Sequence, residues 1–198
     1  TEIYTLSLHD ALPILRILCI SNYYPPHFEG GYEISVSQTM QFLADHNHNV
    51  FILCGSKGNK ETSIESSSFD KDGIYRVLKY INYHKASFID KHQVEKFNFV
   101  TTIRAIKEVQ PDLVYIANMK GLSIAPVLAV KKLGVPHIFD IGDIWLKAYF
   151  KHDIKSRLFR RLKSILPFTI GGSFSLSPAI VPSMWLKECI QKMYESNE

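Results

Sequence analysis

The pair Gly30-Gly31, followed by Tyr32-Glu33 and a stretch of helical spacing, is the first place where residue types and order suggest chemistry. Two glycines let the backbone bend tightly and approach a ligand, and the unpaired N–H groups at a helix start favour an anion such as phosphate. The same pair also suits a plain strand-to-helix turn, so spacing alone leaves both readings open. Pro25-Pro26 stiffens the approach to the pair. Neither G-x-G-x-x-G nor G-x-x-x-x-G-K-[ST] occurs, which gives a dinucleotide cofactor and a P-loop little support.

A second concentration lies between Lys147 and Lys163. There Lys147, Lys151, Lys155, Arg157, Arg160, Arg161 and Lys163 face Asp153 alone, with Tyr149, Phe150, Ile154, Leu158, Phe159 and Leu162 interleaved. That pattern fits a basic amphipathic helix. It reads either as a helix packed on the domain with a solvated basic face, or as a contact to an anionic membrane surface. A nucleic-acid partner is not expected, because the basic residues form one segment and the aromatics sit mostly at core spacing.

The chain has 198 residues, 46% apolar and 21% charged, with a formal net charge of +4. Those values describe a globular domain with no run long enough for a membrane span. Cys19, Cys54 and Cys189 form no C-x-x-C pair, which argues against a disulfide framework and a four-cysteine zinc site. Cys19 and Cys54 lie in apolar runs and read as core thiols of a reduced, cytoplasmic protein. Thr1 to Ile14 resembles a translated sequencing adapter and lacks the basic start and apolar length of a targeting peptide. The expected organisation is therefore a non-native segment, 1–14, followed by one domain, 15–198.

The elements that must position the glycine loop alternate between strand and helix. Leu15 to Ser21 and Asn49 to Gly55 are continuous apolar runs suited to strands covered on both faces, with a helix from Glu33 to His46 between them. Gly55 to Gly73 reads as a polar loop, and Ile74 to Ile81 as a third strand at an edge. Val94, Phe97, Val100, Ile103, Ile106 and Val109 predict a long helix capped at Asp90 and ending at Gln110, before Pro111. Asp112 to Asn118 is a fourth predicted strand, Leu122 to Leu133 a helix closed by Gly134, and Val135 to Ile141 a fifth strand. Ala179 to Ser183 is a short sixth, and Trp185 to Tyr194 a final helix. The fold class is α/β: a Rossmann-like, doubly wound, mostly parallel sheet with helices on both faces, whose ligand sits beyond the carboxyl ends of the strands.

RILCISNYYPPHFEGGYEISVSQTMQFLADHNHNVFILCG resembles the opening of the glycosyltransferase family-four N-terminal domain, with its strand, tyrosine-proline loop, Gly-Gly-x-Glu and following helix. Asn47-His48-Asn49-Val50 stands where that family usually has Gly-His-x-Val. The likeness continues through QPDLVYIAN, KKLGVPHIFDIGDIW and IVPSMWLKECI. It implies the N-terminal, acceptor-side half of a GT-B fold, with the donor-binding C-terminal domain not among these residues. The activity implied is transfer of a sugar from a nucleotide-sugar donor to a sugar, lipid-linked or other hydroxyl acceptor, in cell-surface polysaccharide or glycolipid synthesis. The nucleotide-sugar is substrate, and neither a cofactor nor a metal is expected.

The same resemblance implies that the amides of Gly30 and Gly31 reach the donor diphosphate. Glu33 either orients that loop or stabilises the first helical turn. His27, placed in an exposed loop, is a candidate substrate contact. After the fifth strand many relatives carry a basic residue before the aspartate, whereas here Gly142 precedes Asp143. Asp143 is the candidate base for an acceptor hydroxyl, or else a helix cap. Asn118, Lys120 and Trp145 are candidates for the acceptor side, Lys120 being suited to an anionic group. Lys151, Lys155, Arg157, Arg160 and Arg161 are the candidate membrane-facing residues of a protein seated on the inner face of the membrane. The competing expectation is a non-catalytic phosphate-binding module recruited to a membrane or partner by its basic helix.

Overall fold

A computed structural model describes residues 13–55, 70, 72–81, 86–145 and 175–195. The 1–12 part of the adapter-like segment, most of the polar loop and the basic Lys147–Lys163 segment lie outside the described residues. Within them, six strands form one parallel sheet: β1 (Arg16–Ser21), β2 (Asn49–Gly55), β3 (Ile74–Leu78), β4 (Leu113–Ile116), β5 (His137–Asp140) and β6 (Ala179–Ile180). Their order is β3-β2-β1-β4-β5-β6. Four helices complete the described fold: α1 (Gly31–Asp45), α2 (Phe88–Val109), α3 (Ala125–Leu133) and α4 (Met184–Glu195).

Both faces of the sheet are dry, as the unbroken apolar runs require. On one face Ile17, Cys19, Ile52, Cys54 and Tyr115 pack with Val36 and Met40 of α1. On the other, Leu18, Ile20, Leu53, Val114, Ile116 and Phe139 meet Ala105 and Ile106 of α2, Val127 and Val130 of α3, and Leu186 and Ile190 of α4. The α/β doubly wound class is thus the observed one. Cys19 and Cys54 are fully buried in that core, and burial pushes the Cys54 thiol up to about 12.

Several element boundaries differ from the sequence expectation, each for a local reason. Helix α2 begins at Phe88 because Ser87, not Asp90, is its N-cap. Asp90 instead answers from the third position: its amide donates to Ser87 Oγ at 3.2 Å while the Ser87 amide donates to Asp90 Oδ2 at 3.0 Å. The buried residues of α2 are Asn98, Phe99, Thr101, Thr102, Ala105, Ile106 and Val109, whereas Val94, Phe97, Val100 and Ile103 are half-buried. A strict three-residue repeat drifts around a helix of 3.6 residues per turn, so it cannot mark one face. Helix α3 starts at Ala125 rather than Leu122, with Pro126 in its first turn. Strands β3, β4, β5 and β6 are each shorter than the apolar runs that contain them.

Candidate functional site

In this strand order the progression across the sheet reverses between β1 and β4, so the connection after β1 leads to α1 on one face and that after β4 to α3 on the other, the switch point at the carboxyl edge where α/β sheets place their ligands. Asn22, the first residue after β1, ties this edge together. Its amide donates to the Asn118 carbonyl at 2.7 Å, continuing the β1–β4 pairing, and its carbonyl accepts from the Gly55 amide at 2.8 Å and from the Tyr80 hydroxyl. Its side chain is engaged at both ends as well. Nδ2 donates to Glu33 Oε1 at 3.0 Å, and Oδ1 accepts from the Tyr23 amide at 2.8 Å.

Glu33 is 2% exposed, unusual burial for a carboxylate. Its second oxygen accepts from the amides of Gly30 at 3.0 Å and Glu29 at 3.3 Å. Three N–H donors therefore satisfy it, and in return it folds the β1–α1 loop back onto the helix. The Gly30 amide is thereby engaged inside the loop, which leaves the first-turn amides of Gly31 and Tyr32 as the ones suited to a ligand. Gly30 has no side chain to cap α1, and a Cβ built on either Gly30 or Gly31 would meet nothing within 4 Å. The result is a helix end whose N-cap amide is held by Glu33 and whose next two amides, Gly31 and Tyr32, receive no side-chain cap from Gly30.

Aromatic rings flank this helix end. Tyr80 lies over the ends of β2 and β4, where a Cβ on Gly55 or Gly121 would run into its ring, and it stacks on Tyr23 with centroids 4.8 Å apart. Its segment is held by Asn98 of α2, which brackets Lys79 with bonds to both its amide and carbonyl and donates to the Leu122 carbonyl at 2.8 Å. On the other flank, the Tyr32 hydroxyl donates to the Asp140 carbonyl. The Tyr115 hydroxyl donates to Asp140 Oδ2 at 2.8 Å. Burial holds the Asp140 carboxyl above its ordinary value, with the Tyr115 hydrogen bond opposing in part.

The predicted site residues divide on inspection. Lys120 and Asp143 are exposed on the β4 and β5 loops, and Asp143 Oδ1 accepts from the Trp145 amide at 2.7 Å. Asn118 is 4% exposed, and its Oδ1 accepts from the Lys120 amide at 2.8 Å, so it shapes the turn instead of lining the cleft. Trp145, 6% exposed, belongs to the main core cluster and anchors the β5 loop from below. His27 is half-buried, not exposed, because a turn closed by its amide on the Tyr24 carbonyl at 3.1 Å folds the loop inward. The candidate membrane-facing residues Lys151, Lys155, Arg157, Arg160 and Arg161 lie outside the described residues. Asn22, Tyr32, Tyr80 and Asp140 were not singled out by sequence reading. A polar residue closing an otherwise apolar strand, as Asn22 and Asp140 do, was the available signal.

No protein-family model matches the chain. A curated relative, an uncharacterised 42.6 kDa protein in the cps region of Klebsiella pneumoniae, is 25% identical over 140 residues, covering 67% of this chain and 38% of that protein. Among solved structures, Glycyrrhiza uralensis UGT73P12, crystallised with glycyrrhetinic acid 3-O-monoglucuronide, is similar at a TM-score of 0.38 and 14% identity, over 94% of this chain and 42% of that one. The chain spans less than half the length of each.

Proposed function

We propose that residues 15–198 form the acceptor-side, Rossmann-like domain of a nucleotide-sugar-dependent glycosyltransferase of the GT-B arrangement, whose donor-binding domain lies outside this sequence. The observation that carries the reading is the start of α1. Two glycines open to space, a helix end with no side-chain cap from Gly30 and a buried Glu33 holding the loop lie together at the switch point of the sheet. In this reading the diphosphate of the donor rests against the Gly31 and Tyr32 amides, where the helix dipole stabilises it as it departs. Asp143, exposed on the facing loop, takes the proton of the acceptor hydroxyl, and Lys120 draws in anionic groups.

The cps-region setting of the Klebsiella relative supports an acceptor from cell-surface polysaccharide or glycolipid synthesis. Among the described residues no helix is long and apolar enough to cross a membrane. A cytoplasmic enzyme that touches the inner membrane face through its 147–163 segment fits such an acceptor, and salt-sensitive co-sedimentation with anionic vesicles tests that contact.

Uridine diphosphate is the direct probe of the site. In ¹⁵N-resolved NMR titrations of the chain, the amides of Gly31, Tyr32 and Glu33 are expected to shift progressively and ahead of the rest. No shift at these positions with millimolar nucleotide would overturn the assignment of the diphosphate to this helix end.

A further inference from the structure

Gly142 lies two residues beyond β5, in the loop that carries Asp143. A Cβ built at this position would stand 2.1 Å from Tyr32 Cε2 and 2.2 Å from Cδ2, so a side chain at 142 and the Tyr32 ring claim the same volume. Gly142 is not among the residues with positive φ, and glycine is therefore needed there for its missing side chain. The Tyr32 hydroxyl meanwhile reaches the carbonyl of Asp140, two residues earlier. Ring and hydroxyl together grip the start of the β5 loop. Three residues on, the buried Trp145 holds the segment again, its amide donating to Asp143 Oδ1 at 2.7 Å.

The geometry points to Tyr32 as a positioning residue of the candidate site: by filling the space over Gly142 it fixes the Asp143 loop against the N-terminus of α1. Tyr32 follows Gly31 directly, so one residue links the helix end that meets the anion to the loop that bears the carboxylate. A shift of this loop moves Asp143 relative to the Gly31 amide, and a misplacement of about 1 Å between such groups is enough to lower activity sharply. The assignment of ligand rests on the glycosyltransferase reading, whereas the coupling of positions 32 and 142 does not.

Four variants of the chain test this: Tyr32→Phe, Tyr32→Ala, Gly142→Ala and the double variant Tyr32→Ala with Gly142→Ala. Each is followed by thermal unfolding and by ¹⁵N amide spectra with and without uridine diphosphate. Gly142→Ala is expected to lower the melting temperature and the double variant to recover part of that loss, making the two substitutions non-additive. Tyr32→Ala is expected to shift the Gly142, Asp143 and Trp145 amides and weaken nucleotide binding about tenfold, while Tyr32→Phe, which keeps the ring but loses the bond to the Asp140 carbonyl, is expected to fall between Tyr32→Ala and the native chain in both readouts. Additive effects, or Asp143 and Trp145 amides unmoved by Tyr32→Ala, would overturn the proposal. If Gly142→Ala does not fold, refolding in the double variant supports the shared volume, and its failure to fold counts against it. A native chain that binds no nucleotide would remove the assignment of the diphosphate to this helix end, with the amide shifts and the double-mutant comparison still deciding the role of Tyr32.

Discussion

At the scale of single residues, the loops of the candidate site are held by buried polar groups that bond to backbone, while Lys120 and Asp143 stand exposed. Asn22 and Glu33 are 1% and 2% exposed, and each uses its side chain to fix backbone. Asp140 is the exception in energy. Its carboxyl is half-buried and held above its ordinary value of 3.8, chiefly by desolvation. A carboxyl whose folded value is raised favours the fold while protonated, and that contribution is lost as pH rises from 3.8 through the folded value. Asp140→Asn, which keeps an acceptor for the Tyr115 hydroxyl, is therefore expected to be more stable than the native chain at neutral pH. The gap should close below the ordinary carboxyl range. Urea midpoints measured from acid to neutral pH check this, and a constant gap would show that Asp140 ionisation does not couple to folding.

At the scale of elements, α1 and α2 share one half of a capping box, an acidic third residue accepting from the N-cap amide, and differ in the other. Helix α2 is closed by reciprocal bonds: Ser87 Oγ donates to Asp90 Oδ2 at 2.7 Å and accepts from the Asp90 amide at 3.2 Å. Helix α1 has Glu33 on its N-cap amide but no side chain at Gly30 to accept from the following amides, and in the proposed function those are the ones left for a ligand. Ser87→Ala is expected to destabilise the chain by about 1 kcal/mol, read as a lower urea midpoint with unchanged slope. Hydrogen bonds from the Ser87 hydroxyl and amide lower the Asp90 value from 3.8, so their support is present above 3.8 and lost as pH falls through the folded value. The same substitution should raise the Asp90 titration midpoint in NMR.

For the whole molecule, an all-parallel sheet buried on both faces supplies a rigid platform whose loops converge at one edge. Aromatic and apolar side chains remain exposed on those loops, with Phe28 at 51% and Ile144 at 43%. In the proposed division of labour a second domain faces this edge, excludes water and completes donor binding. The chain by itself is then expected to bind nucleoside diphosphate without turning over a nucleotide-sugar. Release of nucleotide from such donors by the purified chain, above the rate in buffer, would show that one domain suffices.

The succession of strands and helices was legible because the apolar runs from Arg16 to Ser21 and Asn49 to Gly55 are continuous, a pattern that only strands covered on both faces sustain. The Gly30-Gly31 pair at the start of α1, Glu33 in its first turn and Asp143 on the loop after β5 were also readable, since turn and cap chemistry is local. Which polar residues face the cleft was not. Burial of Asn118 and Trp145 and the inward fold of His27 depend on packing with residues distant in sequence or on the path of a loop. The departure at Gly142 is the sharpest case: its reason is a tyrosine more than a hundred residues earlier, whose hydroxyl bond to Asp140 spans 108 positions. Local sequence determined the elements and their order through periodicity and turn preference. Tertiary structure alone decided which side chains share a volume, because steric exclusion acts between neighbours in space.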